Sequence, residues 1–124
     1  KAILADPGIR KIGQNIKYDY IVLKREGLEL RGIDQDTMVL SYLLEPNWGK
    51  HNLEKLALAY LHTQATPYEE VAGKGKNAVT MNAVPLEKVV PYACQDADFA
   101  LDAGAQLVEE VVEREIPPEL WRAM

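Results

Sequence analysis

The chain has 124 residues, 48% of them hydrophobic and 27% charged, with a formal net charge of −5. That is one domain or part of one, of ordinary globular composition, which excludes a disordered or fibrous chain. No apolar run reaches the length of a membrane span, no signal-peptide pattern opens the chain, and an acidic balance argues against binding nucleic acid through a broad basic face.

Ala2 to Ala5 reads as the end of a helix, stopped by the turn signal Asp6-Pro7-Gly8. Ile9 to Gln14 then reads as a short strand. Tyr18 to Arg25 is helical, with Tyr18, Ile21 and Val22 at i, i+3 and i+4, and Gly27 closes it. Leu28 to Asp34 is expected to be a second strand, and Gln35 or Asp36 opens a helix that runs to Leu44. Asn52 caps an amphipathic helix with Leu53, Leu56, Ala57, Tyr60 and Leu61 on one face. Thr63 to Ala83 is a long connection, more than a compact domain usually carries without a purpose. The last element runs from Pro85 to about Glu115. Leu86, Val89, Val90, Ala93, Ala97, Ala100, Gly104, Leu107 and Val111 repeat at helical spacing and are expected to face the core. Pro91 either kinks this helix or starts a second one, and Pro117-Pro118 ends it. Strands alternating with helices point to an α/β or α+β sheet domain.

Two segments carry chemistry. Tyr92 and Asp96 form a Tyr-x3-Asp on the long helix, with Tyr92, Asp96 and Phe99 on one stripe, so that a hydroxyl and a carboxylate can reach a cleft together. Far upstream, Asn15 and Asp19 form an Asn-x3-Asp, with Tyr18 just before the acid. Taken singly, each has a plain explanation. Asp19 would complement a helix dipole, Asn15 would be a turn residue after a strand, and Tyr92 would be a packing residue with a wet hydroxyl. The single Cys94 cannot form an internal disulfide, fits a reducing cytosol, and is expected to be a buried, inert thiol. His51 and His62 are too far apart for a helical zinc pair, and Gly73-Lys74-Gly75-Lys76 lacks the spacing of a phosphate loop.

Taken together, the two segments resemble the second and third motifs of the DEDD 3′→5′ exonucleases, in the branch that uses tyrosine. Lys11 through Asp19, Asp36-Thr37-Met38, Ala72 through Asn77 and Tyr92 through Asp98 look, in that order, like the proofreading exonuclease domains of family A DNA polymerases. The resemblance covers nearly the whole chain. It implies a ribonuclease H-like fold and hydrolysis of the 3′-terminal phosphodiester with magnesium, manganese being able to substitute, to release nucleoside 5′-monophosphates. It also implies a single-stranded DNA 3′ end as substrate, a polymerase domain of the same parent chain as partner, and a cytoplasmic setting with no membrane.

Carried over residue by residue, the resemblance makes Asp19 and Asp96 metal ligands, with Asp96 on the ion that bears the attacking water. Tyr92 would orient that water through its hydroxyl. Its ordinary pKa near 10 suits a hydrogen-bonding role better than that of a general base. Asn15, Tyr18, Lys50 and Tyr68 would contact the substrate, the tyrosines by stacking on bases and Lys50 by neutralising a phosphate. The family more often has Arg and Phe where this chain has Lys50 and Tyr68, and an ammonium does not offer the bidentate fork of a guanidinium. Lys74 and Lys76 read as a solvated loop that could also touch the backbone.

One motif of the family is absent. Its Asp-x-Glu on the opening strand has no counterpart in these residues, and the nearest spacings, Asp34-x-Asp36 and Asp96-x-Asp98, lack the Glu and lie elsewhere. Since two-metal hydrolysis needs enough carboxylates to hold both ions about 4 Å apart, little or no catalysis is expected from these residues alone. We therefore read the chain as an N-terminally truncated piece: residues 1–115 are the later part of an exonuclease domain lacking the first strands of its sheet, and 116–124 begin a linker towards a polymerase domain. Such a piece is expected to be poorly stable or to dimerise through its open sheet edge. Two other readings stay open: a non-catalytic module that holds single strands or braces a polymerase, and an RNA-trimming enzyme of the same superfamily.

Overall fold

The computed structural model describes residues 1–73, 75 and 79–122, apart from the side chains of Tyr68 and Met81. The expected backbone contacts of Lys74 and Lys76 lie outside the described residues, as does the stacking role of the Tyr68 ring.

Chain order is α1 (Ala2–Ala5), β1 (Lys11–Gly13), α2 (Ile16–Arg25), β2 (Ile33–Asp36), α3 (Thr37–Leu44), α4 (Leu53–Leu61), α5 (Tyr68–Ala72), α6 (Leu86–Glu113) and α7 (Pro118–Trp121). Among the described residues the sheet consists of β1 and β2, parallel, with Lys11 opposite Ile33 and Gly13 opposite Asp36. Parallel pairing needs a crossover, and α2 supplies it. The second strand is displaced from the expected Leu28–Asp34. Arg31 N–H instead donates to Leu4 O at 2.8 Å, and pairing with β1 begins where Lys11 N–H reaches Gly32 O at 2.8 Å. Gly32 makes that entry possible: its φ is +77°, and a Cβ there would meet the Ile9 carbonyl oxygen at 2.7 Å.

The core lies between α3, α4, α6 and α7. Leu40, Leu44, Leu56, Ala103, Leu107, Val111 and Trp121 form its buried cluster. Leu40, Leu56 and Leu107 are fully enclosed, and each contributes about 1.5–3 kcal/mol by leaving water. Gly104 lets α6 lie close on β1, since a Cβ at that position would meet Ile12 Cγ2 at 3.1 Å. Arg114 ties the end of α6 to the end of α3 by donating to Leu44 O at 3.0 Å. Pro118–Trp121 turns back, and Trp121 enters the core with its indole N–H donating to Ile116 O at 3.0 Å.

Helix α6 is one helix of 28 residues with Pro91 inside it, and its expected core stripe holds only in part. Ala100, Gly104, Leu107 and Val111 are buried, whereas Leu86 is 75% exposed and Val90 53%, and Ala93 and Ala97 are exposed as well. The reason is length. The helix runs about 42 Å, while the strand it crosses has three residues, so its first half projects past its support. Cys94 is exposed for the same reason, not buried. Tyr18, Ile21 and Val22 of α2 also face solvent. No helix among the described residues is long and apolar enough to cross a membrane.

Candidate active site

A cleft of about 610 Å³ opens where the end of β1, the first turns of α2 and α4, and the middle of α6 converge. Three of the residues singled out in the sequence meet in it: Asp19 from α2, and Tyr92 and Asp96 from α6. Gln14, Asn52, Glu54 and Thr66 complete its polar lining.

Each side chain has a local cause for its place. Asn15 takes up a left-handed backbone conformation, φ 54°, which starts α2 abruptly after β1 and puts Asp19 in the first turn. Tyr92 and Asp96 stand one turn apart on α6, and the tyrosine hydroxyl hydrogen-bonds the carboxylate. Gln95 Oε1 accepts from Thr66 N–H at 2.8 Å, which pins the incoming loop to the same helix. Asn52 caps α4 by accepting from Lys55 N–H at 2.9 Å, and so brings Glu54 to the rim.

Beneath the cleft a chain of polar contacts joins β1 to α3 and to the loop before α4. Gln14 donates to His51 O at 2.6 Å and accepts from the Thr37 hydroxyl at 2.5 Å, and buried Ser41 pairs with His51 Nδ1 at 2.7 Å. Asn15 Oδ1 and His51 Nε2 are buried without a hydrogen-bond partner among the described residues. Both residues flank a neighbouring groove that Lys50 also lines.

The cleft is electrostatically one-sided. Its described lining includes the carboxylates of Asp19, Glu54 and Asp96 and no lysine or arginine. Burial raises the pKa of Asp96 above the ordinary carboxylate value and the Glu54 charge raises it further, while the hydrogen bond from Tyr92 opposes both. Asp19 is raised by burial first and by the Asp36 charge second.

The other expected site residues stand apart from this cleft. Lys50 is exposed and lines the adjoining grooves. Asn15 lies in the same groove as Lys50. Tyr18 is 67% exposed and is not among the residues that line the cleft. Of the two substitute spacings, Asp36 is taken up by backbone amides, Asp34 accepts from Gln35 at 3.2 Å, and Asp98 is exposed. Glu54 is the cleft carboxylate that sequence reading missed. Its one sequence signal was its place just after the Asn52 cap, where an acidic residue is otherwise read as complementing the helix dipole.

A small parallel sheet with a βαβ crossover, covered by helices that converge on an acidic cleft, is a mixed α/β framework. Residues 1–111 match the model of the 3′-5′ exonuclease family, and the chain belongs to that family. Its relatives include DNA polymerase I of Rhizobium leguminosarum, 40% identical over 98% of this chain and 13% of that protein. DNA polymerase I of Pseudomonas aeruginosa is 40% identical over 100% of this chain and 14% of that protein. Among solved structures, the POL domain of Pol1 from M. smegmatis in complex with DNA primer-template and dNTP superposes with a TM-score of 0.74 at 25% identity, over 96% of this chain and 17% of that one. The mixed α/β arrangement is consistent with the expected ribonuclease H-like fold, and the chain spans about one seventh of the curated relatives it matches.

Proposed function

We propose that this chain forms part of the proofreading centre of a DNA polymerase, which removes nucleotides from a single-stranded 3′ end and releases nucleoside 5′-monophosphates. The observation that carries this reading is the shared cleft, where Asp19, Tyr92 and Asp96 meet from distant parts of a chain of the exonuclease family.

The donor set fits a divalent cation. An exposed carboxylate, Asp19, and a half-buried one, Asp96, in a cleft whose described lining has no basic residue suit a hard ion that keeps several of its waters, and magnesium and manganese are such ions. Asp19 and Asp96 would hold it. When bound, such an ion supplies a more acidic water and shields the charge of the phosphodiester. Tyr92, through its bond to Asp96, fixes the orientation of that carboxylate and presents a hydroxyl to the space where water enters. Glu54 adds negative charge at the rim, which keeps Asp96 avid for a proton or a cation. Lys50 and Asn15 line the groove beside the cleft, where an outgoing strand would meet them, and the exposed Tyr18 would stack on an unpaired base.

Among the described residues no group of three or more acidic, histidine or cysteine side chains is close enough to hold an ion. Two carboxylates therefore make a weak site, and we infer that these 124 residues alone bind one ion weakly and hydrolyse slowly or not at all. We infer that residues 1–115 belong to the exonuclease unit, and the packing of Ile116 and Trp121 on the same core extends that unit past the expected start of a linker.

The test is to titrate the chain with manganese and with a labelled single-stranded DNA, using a single-stranded RNA of the same sequence as competitor. The reading expects one weak ion, binding of the DNA in preference to the RNA, and loss of both in Asp96→Ala. Rapid shortening from the 3′ end would show that the metal site is complete as it stands. Binding of neither ion nor strand would remove the nuclease reading, and preference for RNA would turn it towards RNA trimming.

A further inference from the structure

Asp36 lies outside the cleft, yet its carboxylate is the point from which two helices start. Oδ1 accepts from Asn15 N–H at 2.8 Å and from Met38 N–H at 2.9 Å, and Oδ2 accepts from Ile16 N–H at 3.0 Å. The Met38 contact is an ordinary N-cap of α3. The other two are unusual, because α2 has its own cap residue, Asn15, whose side chain makes no capping bond. Asp36, which pairs with Gly13 across the sheet, takes over that role from the neighbouring strand. It holds the amide of Asn15, the residue in the left-handed conformation, and the amide of the first residue of α2.

Asp19 sits one turn beyond those two amides. A rigid helix passes any displacement of its first turn to the side chains it carries, so the position of the Asp19 carboxylate in the cleft depends on where Asp36 holds Asn15 and Ile16. Charged acceptors make short and directional bonds to amides, which suits them to such a task. All three bonds are also spent on the backbone, so Asp36 has little left to offer an ion.

We propose that Asp36 is a positioning residue for Asp19: its carboxylate clamps the start of α2 and thereby sets the geometry of the metal site. This rests on the assignment of Asp19 as a ligand made above. Groups behind a metal ligand typically change affinity by about 10–100-fold when altered.

The experiment compares manganese affinity, read by electron paramagnetic resonance without DNA, with melting temperature and amide exchange in four forms of the full chain. Asp36→Asn keeps one acceptor, loses the charge and turns an amide N–H towards Ile16. Asp36→Glu keeps the charge but moves the oxygens by one methylene. Val111→Ala lowers stability from the core, away from the cleft, and serves as the control for stability alone. The proposal expects manganese affinity to fall about tenfold or more in both Asp36 variants, faster exchange at Asn15 and Ile16, and unchanged affinity in Val111→Ala. Native affinity in Asp36→Glu would mean that charge alone matters and would overturn it. An equal loss of affinity in Val111→Ala would also overturn it, by reducing the effect to stability. If the unsubstituted chain takes up no manganese, the assignment of Asp19 fails and the clamp has nothing to position.

Discussion

The two halves of α6 share one helical repeat and have opposite surroundings. From Ala100 to Val111 its apolar face is buried against α3, α4 and β1, with Leu107 and Val111 fully enclosed. From Leu86 to Ala97 the same repeat faces solvent or the cleft, and it is this half that carries Tyr92 and Asp96. A packed segment anchors the helix, and the rigid rod carries the chemistry out to where a substrate can reach it. The helix is therefore anchored chiefly by Ala103, Leu107 and Val111, which line no part of the cleft.

Leu107→Ala should have the largest effect. It opens a cavity in the buried half and is expected to cost about 2–5 kcal/mol, enough to unfold much of a marginally stable chain in a circular-dichroism melt. Leu86→Ala, at the far end of the same apparent stripe, should change stability by less than about 0.5 kcal/mol. A large loss from Leu86→Ala would mean that the projecting half is covered in solution, and would end the comparison. Tyr92→Phe should cost about 1 kcal/mol through its lost bond to Asp96, and it should raise the Asp96 pKa further, which carboxylate NMR titration would detect.

The smallest effect is the most telling in sign. Asp96 and Asp19 hold protons more tightly folded than unfolded, because burial and negative neighbours raise both. Their contribution favours the fold at low pH and is lost as pH rises from the ordinary carboxylate pKa through the raised folded one. At neutral pH each ionised group then works against folding. Asp96→Asn should raise Tm slightly at pH 7, by less than about 1 kcal/mol equivalent since the group is partly solvated, and should weaken manganese binding in the same sample. A variant that melts lower at pH 7 would contradict the electrostatic picture of the cleft.

Much of this was legible in the sequence. The Asn52 cap, the start of α3 near Asp36 and the continuous repeat of α6 follow from local chemistry, and the two acidic motifs were visible as text. Periodicity says which side chains share a face, but it does not say what covers that face. That is why Leu86, Val90 and Cys94 were misplaced: the helix outruns the sheet beneath it. The second strand was misplaced because its start depends on Gly32 meeting Pro7 and Ile9, a contact far along the chain. Glu54 entered the cleft unannounced because the approach of α4 to α6 is tertiary. The three hydrogen bonds that Asp36 accepts were hidden likewise, since a carboxylate that caps the helix after it gives no local sign of also starting the helix before its own strand.

Trp121 has a bearing on where this unit can be cut. The match to the exonuclease family stops at residue 111, but the indole of Trp121 belongs to the same buried cluster as Leu40, Leu44 and Leu107. A protein trimmed to the motif-bearing residues would keep every group of the cleft and lose the plug at the opposite end of the bundle. The cooperative unit is thus longer than the recognisable one, and a failed trimmed version would report on its missing plug and not on its chemistry.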